Sequence, residues 1–131
     1  MSTRTILLAD DEPHITHIVS HKFGKMGIST VVAEDGEIAY QMAVEHNPDA
    51  IVTDLQMPYM SGIELADKLA RHPELSRIPI ILLTARGYAV ADQIAAMPNI
   101  RQVLSKPFST RELIEIVLEL LDQDEDRKAS A

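Results

Sequence analysis

The chain has 131 residues, no cysteine, 46% hydrophobic and 24% charged residues, and a formal net charge of −8 from 12 basic and 20 acidic side chains. That length sets an expectation of one domain with one core, and the composition argues against a disordered or fibrous chain. Zero cysteines exclude disulfides, a thiolate nucleophile and a Cys-ligated metal; the acidity disfavours nucleic acid, and the short apolar runs disfavour export or membrane insertion, which makes the cytoplasm the expected location.

Apolar runs of strand length alternate with segments of helical period, the pattern of a parallel α/β sheet built from five units. The first strand is expected at Thr5 to Ala9, ending in the acid pair Asp10-Asp11. Pro13 suits the first turn of the following helix and Gly27 its stop. Within that helix Ile15, Val19, Phe23 and Met26 form the core-facing stripe, His14, His17 and His21 fall opposite, and Ile18 sits at the border. The three histidines have no carboxylate or Cys partner and read as a solvated face. The second unit pairs a strand at Ser29 to Ala33 with a helix at Gly36 to His46. The third strand, Ala50 to Thr53, runs into Asp54, and a helix follows from Gly62 to His72. The fourth strand, Ile80 to Leu83, runs into Thr84 ahead of a helix from about Tyr88 to Met97. The fifth strand, Gln102 to Leu104, precedes Lys106-Pro107 and a helix from Thr110 to Leu121. Near-continuous Ile, Val and Leu content predicts strands buried on both faces.

In the last helix Leu113, Ile114, Val117, Leu118 and Leu121 make the apolar stripe, with Glu112, Glu115 and Glu119 outward. Ser109 with Glu112 three residues on has the capping-box pattern. Residues 122–131 carry no large apolar anchor and read as a frayed polar tail after a domain spanning 1–121.

The chemistry lies at the strand ends. In a parallel sheet the carboxyl ends lie side by side, which brings the carboxylates of Asp10, Asp11 and Asp54 and the ammonium of Lys106 into one crevice. Adjacent carboxylates repel unless a cation joins them, and Mg²⁺ takes oxygen ligands from one or two carboxylates plus a phosphate. Asp54 is then both a ligand and an oxygen nucleophile able to form an acyl phosphate. Lys106 and Thr84 are placed to hold phosphoryl oxygens with a point charge and a hydroxyl donor, and Pro107 permits a cis bond that aims the lysine inward. Taken singly, an acid pair is more often a helix cap, a strand-end Thr reflects β-propensity, and Lys-Pro marks a loop. Their joint occurrence at the ends of strands one, three, four and five carries the reading.

These residues resemble the receiver domains of two-component response regulators, the CheY-like family. The likeness spans about Thr5 to Leu121 and rests on Ile6-Leu7-Leu8-Ala9-Asp10-Asp11-Glu12-Pro13, Ala33-Glu34-Asp35-Gly36-Glu37-Ile38-Ala39, Asp54-Leu55-Gln56-Met57-Pro58-Tyr59-Met60-Ser61-Gly62, Leu83-Thr84-Ala85 and Lys106-Pro107-Phe108. It implies a doubly wound (βα)5, flavodoxin-like sheet in the order 2-1-3-4-5 with the site at the topological switch point. It further implies that Asp54 takes a phosphoryl group from a histidine of a sensor kinase or phosphotransfer protein. Asp11 then binds Mg²⁺ directly, Asp10 mainly through water, and the Gln56 backbone carbonyl completes the protein ligands; Thr84 and Lys106 contact the phosphoryl oxygens. Phosphorylation in the family biases a two-state element felt on the face of helix four, strand five and helix five, where a downstream protein docks.

Two departures stand out. Val103 occupies the fifth-strand position where the family often has an aromatic, so no ring reports the switch. Met97-Pro98-Asn99 replaces a small-residue turn, with Asn99 expected in the left-handed conformation. Gln56 and Arg86, each two residues past a site residue, are expected to line the approach of water to phosphorus. Ile18 is the candidate for the kinase or phosphotransfer face. The chain is expected to act as a stand-alone receiver through protein contact, without turnover of a separate substrate. The alternatives are a haloacid-dehalogenase-type phosphatase, which needs an acid where Gln56 stands, and a flavodoxin-like nucleotide binder, whose phosphate Asp10, Asp11 and Glu12 would repel.

Overall fold

A computed structural model describes residues 4–85 and 90–130, with the backbone alone for 124–130. The element order is β1 (Thr5–Ala9), α1 (Pro13–Lys25), β2 (Ser29–Ala33), α2 (Gly36–His46), β3 (Ala50–Asp54), α3 (Gly62–Ala70), β4 (Ile80–Thr84), α4 (Ala91–Ala95), β5 (Ile100–Ser105) and α5 (Thr110–Ser130). The strands form one parallel sheet in the order β2-β1-β3-β4-β5. Chain order reverses between β1 and β3, so the loops after those strands diverge and leave a crevice at their carboxyl ends.

Each face of the sheet is covered. On one side Ile6, Leu8, Val52, Ile81 and Leu83 pack against Val19 and Phe23 of α1 and Leu113, Val117 and Leu121 of α5. On the other, Leu7, Ile51, Ile80 and Leu82 pack against Ala39 and Ala43 of α2 and Leu65, Ala66 and Leu69 of α3. Each fully buried aliphatic side chain contributes about 1.5–3 kcal/mol, which makes this double layer a rigid platform for the strand ends. β3 and β4 are buried throughout, whereas β2 and β5 are only partly so. Burial on both faces therefore holds for the central strands and fails at the edges, where β2 and β5 each have a neighbouring strand on one side only.

Local chemistry sets the helix ends. Pro13 occupies the first turn of α1, and Gly27 follows its end at φ 78°. Asp35 caps α2 by accepting from the Ile38 N–H at 2.9 Å, and Asn47 closes it in the left-handed region at φ 45°. α3 has a full capping box: the Glu64 N–H donates to Ser61 Oγ and the Ser61 N–H to Glu64 Oε1, both at 3.1 Å.

Several boundaries differ from expectation. α3 stops at Ala70 rather than His72 because Pro73 disfavours helical backbone at the residue before it. α4 ends at Ala95, ahead of Pro98, and Tyr88 and Ala89 lie outside the described residues. Met26 is 51% exposed instead of core-facing, since α1 ends at Lys25; Thr16 takes a buried place, its hydroxyl donating to the Pro13 carbonyl at 3.1 Å. Asn99 does not take the left-handed turn: it is buried, its Nδ2 donates to the Ala66 carbonyl at 2.9 Å, and its own carbonyl accepts from Ile80. α5 continues past Leu121 to Ser130 where a frayed tail was expected, through Gln, Glu, Arg, Lys and Ala residues of good helix propensity and no Gly or Pro. Among the described residues no helix is long and apolar enough to cross a membrane.

Candidate functional site

The crevice at the switch point is a cleft of about 370 Å³ lined by Asp11, Glu12, Asp54, Gln56, Thr84, Ala85 and Lys106. Asp54 and Thr84 are the last residues of β3 and β4, held level by the pairing of Asp54 with Leu83 and of Thr84 with Ser105. β5 delivers Lys106 one residue beyond its end, where the Lys106 N–H still donates to the Thr84 carbonyl at 3.0 Å. The Lys106–Pro107 peptide bond is cis, the form that Pro107 was expected to permit.

Lys106 Nζ donates to Asp54 Oδ2 at 3.1 Å and lies 4.0 Å from Asp10 Oδ2 and 3.8 Å from Glu12 Oε1. One ammonium therefore faces three carboxylates. Burial alone would lower its pKa, but the hydrogen bond to Asp54 and the charges of Asp54, Asp10 and Glu12 outweigh this and raise it above the ordinary lysine value.

Asp10 is 4% exposed. Its Oδ1 accepts from the Glu12 N–H at 2.9 Å, and its Oδ2 is buried with no hydrogen-bond partner. Burial pushes its carboxyl up to about 6, opposed by the Glu12 N–H and the Lys106 charge and reinforced by Asp54 and Glu12. Such an oxygen is costly to bury without a partner. Carboxylate oxygens of Asp10, Asp11 and Glu12 lie within 4.8 Å of one another. An all-oxygen donor set with one unsatisfied buried carboxylate oxygen fits a hard divalent cation such as Mg²⁺.

The sequence-derived residues thus converge. Asp10, Asp11, Asp54, Gln56, Thr84 and Lys106 meet at one cleft, with Pro107 exposed beside it. Val103 stands further down β5, half-buried against the α2–α3 side of the core. Ile18 is half-buried on α1, and the three α1 histidines are exposed, as expected. Arg86 lies outside the described residues. Two residues went without an assigned role. Glu12 sits within reach of Lys106, and a third consecutive acid after Asp10-Asp11 was the available signal. Thr53 is fully buried and donates its hydroxyl to the Asp54 carbonyl at 3.0 Å; as a strand Thr it carried no sequence signal.

Residues 6–118 match the response regulator receiver domain family. The phosphate regulon transcriptional regulatory protein PhoB of Pseudomonas aeruginosa is 36% identical over 114 residues, covering 87% of this chain and 50% of PhoB. The chain spans about half the length of the curated relatives it matches. Among solved structures, the receiver domain of Francisella response regulator 1452 superposes with a TM-score of 0.83 at 33% identity, covering 93% of this chain and 99% of that one. The receiver domain of a sensor histidine kinase from Pseudomonas aeruginosa, solved with a magnesium ion coordinated in its active-site cleft, shares the fold at a TM-score of 0.81 and 24% identity, covering 92% and 99%. The parallel 2-1-3-4-5 sheet, the acidic switch-point cleft and these matches agree: the chain belongs to the response regulator receiver domain family, the phosphoacceptor modules of two-component signalling.

Proposed function

We propose that Asp54 receives a phosphoryl group from a histidine of a sensor kinase or phosphotransfer protein. The observation that carries this reading is the Lys106 ammonium 3.1 Å from Asp54 Oδ2 in a cleft shared with Asp11 and Thr84. An Asp54 carboxylate oxygen attacks phosphorus in line; the P–O bond forms as the P–N bond to the donor imidazole breaks, its electron pair returning to the ring nitrogen, which takes a proton from water. Lys106 and Thr84 hold the equatorial oxygens with a charge and a hydroxyl donor, so the chain's contribution is positioning and charge neutralisation. Asp11 directly, Asp10 mainly through water, Asp54 and the Gln56 carbonyl would hold Mg²⁺, which supplies further neutralisation of the transferring group. Hydrolysis returns the carboxylate: water attacks phosphorus, the acyl P–O bond breaks, and inorganic phosphate leaves.

Gln56, and Arg86 by its place two residues past Thr84 in the sequence, set the lifetime of the acyl phosphate; identical phosphate-loss rates in Gln56→Ala, Arg86→Ala and the parent chain would reject this. Ile18 and the exposed face of α1 receive the phosphodonor, and the α4-β5-α5 face carries the signal to a downstream protein with Val103 in place of a reporting ring. No separate substrate is turned over, and the setting is cytoplasmic. Incubation with Mg²⁺ and acetyl phosphate followed by intact mass tests the chemistry. A phosphoryl adduct that is absent in Asp54→Ala supports it, and an adduct that persists in that variant overturns it.

A further inference from the structure

The face of β3 that looks toward α2 and α3 is apolar at Ile51 and Leu55 but carries a hydroxyl at Thr53, which is 0% exposed. A hydroxyl in such a place is costly unless it is hydrogen-bonded. Its partner is the backbone carbonyl of the next residue: Thr53 Oγ1 donates to the Asp54 carbonyl at 3.0 Å, with Met57 Sδ at 3.8 Å as its other polar neighbour. The location explains why the carbonyl needs a side-chain donor. Pairing between β1 and β3 ends at Ala9 with Thr53, so Asp54 lies one residue past the last β1 partner. On its far side, a Cβ at Gly62 would come 2.5 Å from the same carbonyl oxygen. The Asp54 carbonyl therefore accepts from a hydroxyl on one side and lies, on the other, where the start of α3 leaves room for a glycine and no larger residue.

That carbonyl belongs to the peptide unit joining Asp54 to Leu55, and its orientation fixes how the chain leaves the strand toward Gln56. We infer that Thr53 is a positioning residue for the phosphoacceptor, its hydroxyl locking the Asp54–Leu55 peptide so that the Asp54 carboxylate and the Gln56 carbonyl face the cleft together. The inference rests on the proposed role of Asp54 and deepens it. A misplaced reacting group loses rate steeply, because the reaction depends on alignment.

The test compares Thr53→Val, which keeps the shape and deletes the donor, with Thr53→Ser, which keeps the donor and deletes a methyl. Three quantities are read: amide chemical shifts of residues 55–57 without metal, Mg²⁺ affinity by calorimetry, and the acetyl phosphate reaction rate at saturating Mg²⁺ by intact mass. Thr53→Val is expected to move the amide shifts, weaken Mg²⁺ binding and slow phosphorylation about tenfold, the scale of one lost hydrogen bond; Thr53→Ser is expected to restore all three. A valine variant that differs from the parent only in melting temperature overturns the inference, as does a serine variant as impaired as valine, which would assign the effect to the methyl. Should Thr53→Val not fold, Thr53→Ser against Thr53→Ala reads the same donor, and equal values overturn the inference. Failure of the parent chain to form an Asp54 adduct sinks the Asp54 reading instead, while the metal-free shifts and Mg²⁺ affinity still report on Thr53.

Discussion

Lys106 Nζ lies 3.1 Å from Asp54 Oδ2 across 52 residues of sequence, and the same ammonium reaches Asp10 and Glu12 at 4.0 and 3.8 Å. Without it, three carboxylates from two strand ends would face one another in a partly buried cleft. Lys106→Met is therefore expected to lower stability in chelator by about 1–2 kcal/mol, less than a fully buried pair because the lysine is partly exposed. Mg²⁺ should recover more of that loss than it adds to the parent chain, since a cation substitutes for the missing charge. Phosphorylation by acetyl phosphate should slow at least tenfold. Thermal melts with and without Mg²⁺ check the first two statements; equal Mg²⁺ increments in both proteins would contradict the second.

Asp10 gives a pH dependence with a definite sign. Its folded carboxyl is raised by burial from 3.8 to about 6, so between those values the native state binds more protons than the unfolded chain. Stability from this group is present at low pH and is lost as pH rises through about 6. A divalent ion must displace that proton, so the Mg²⁺-induced rise in melting temperature should be small at pH 5 and reach a plateau above pH 7. Asp10→Asn keeps an Oδ1 acceptor for the Glu12 N–H and removes the buried charge. It should stabilise the metal-free protein at neutral pH by about 1 kcal/mol while abolishing most of the Mg²⁺ increment. A Mg²⁺ increment independent of pH would count against the assignment.

The five-strand architecture and the cleft were legible in the sequence because both follow from local, repeated signals. β1 and β2 match their expected bounds, and Asp10, Asp54, Thr84 and Lys106 converge because strand ends in a parallel sheet must be neighbours. What was not legible depends on non-local partners. Asn99 looked like a turn residue, yet a carbonyl of α3 at Ala66 claimed its side chain. Thr53 looked like a β-former, and only the end of the β1 ladder gives its hydroxyl a task. The edge strands read like central ones because composition does not report which strands lack a neighbour on one side.

Two glycines provide a matched contrast. Gly62 opens α3 where an added Cβ would sit 2.5 Å from the Asp54 carbonyl oxygen and 2.8 Å from Leu82 Cδ1, while a Cβ on Gly24 in α1 meets nothing within 4 Å. Gly62→Ala must push the phosphoacceptor strand end aside and is expected to cost about 2–3 kcal/mol, the scale of overpacking a tight core. Gly24→Ala relieves a helical glycine and should add about 0.5–1 kcal/mol. Urea denaturation measures both, and the phosphorylation rate should fall in the first variant alone. Equal effects on stability would show that the close approach at Gly62 relaxes without consequence.

Tyr59 offers a stability gain at the rim of the loop between β3 and α3. Its backbone has a positive φ of 69° in a γ-turn and its side chain is 82% exposed, so the ring buries little to offset the unfavourable conformation. A residue with a Cβ held at positive φ costs about 1–3 kcal/mol, and Asn enters that half of the backbone map more readily than Tyr. The neighbouring Met60 N–H donates to the Pro58 carbonyl at 2.8 Å across the tyrosine, so the turn is held by backbone that a change of side chain leaves in place. Tyr59→Asn should therefore raise stability by about 0.5–1 kcal/mol, read as a higher urea midpoint at unchanged slope. Tyr59→Gly should gain less, because glycine also frees the unfolded chain. Neither substitution removes a group from the cleft lined by Asp54 and Lys106, so the acetyl phosphate rate should stay within about twofold of the parent. A lower midpoint in Tyr59→Asn would mean that the exposed ring contributes more to this loop than its positive-φ backbone costs.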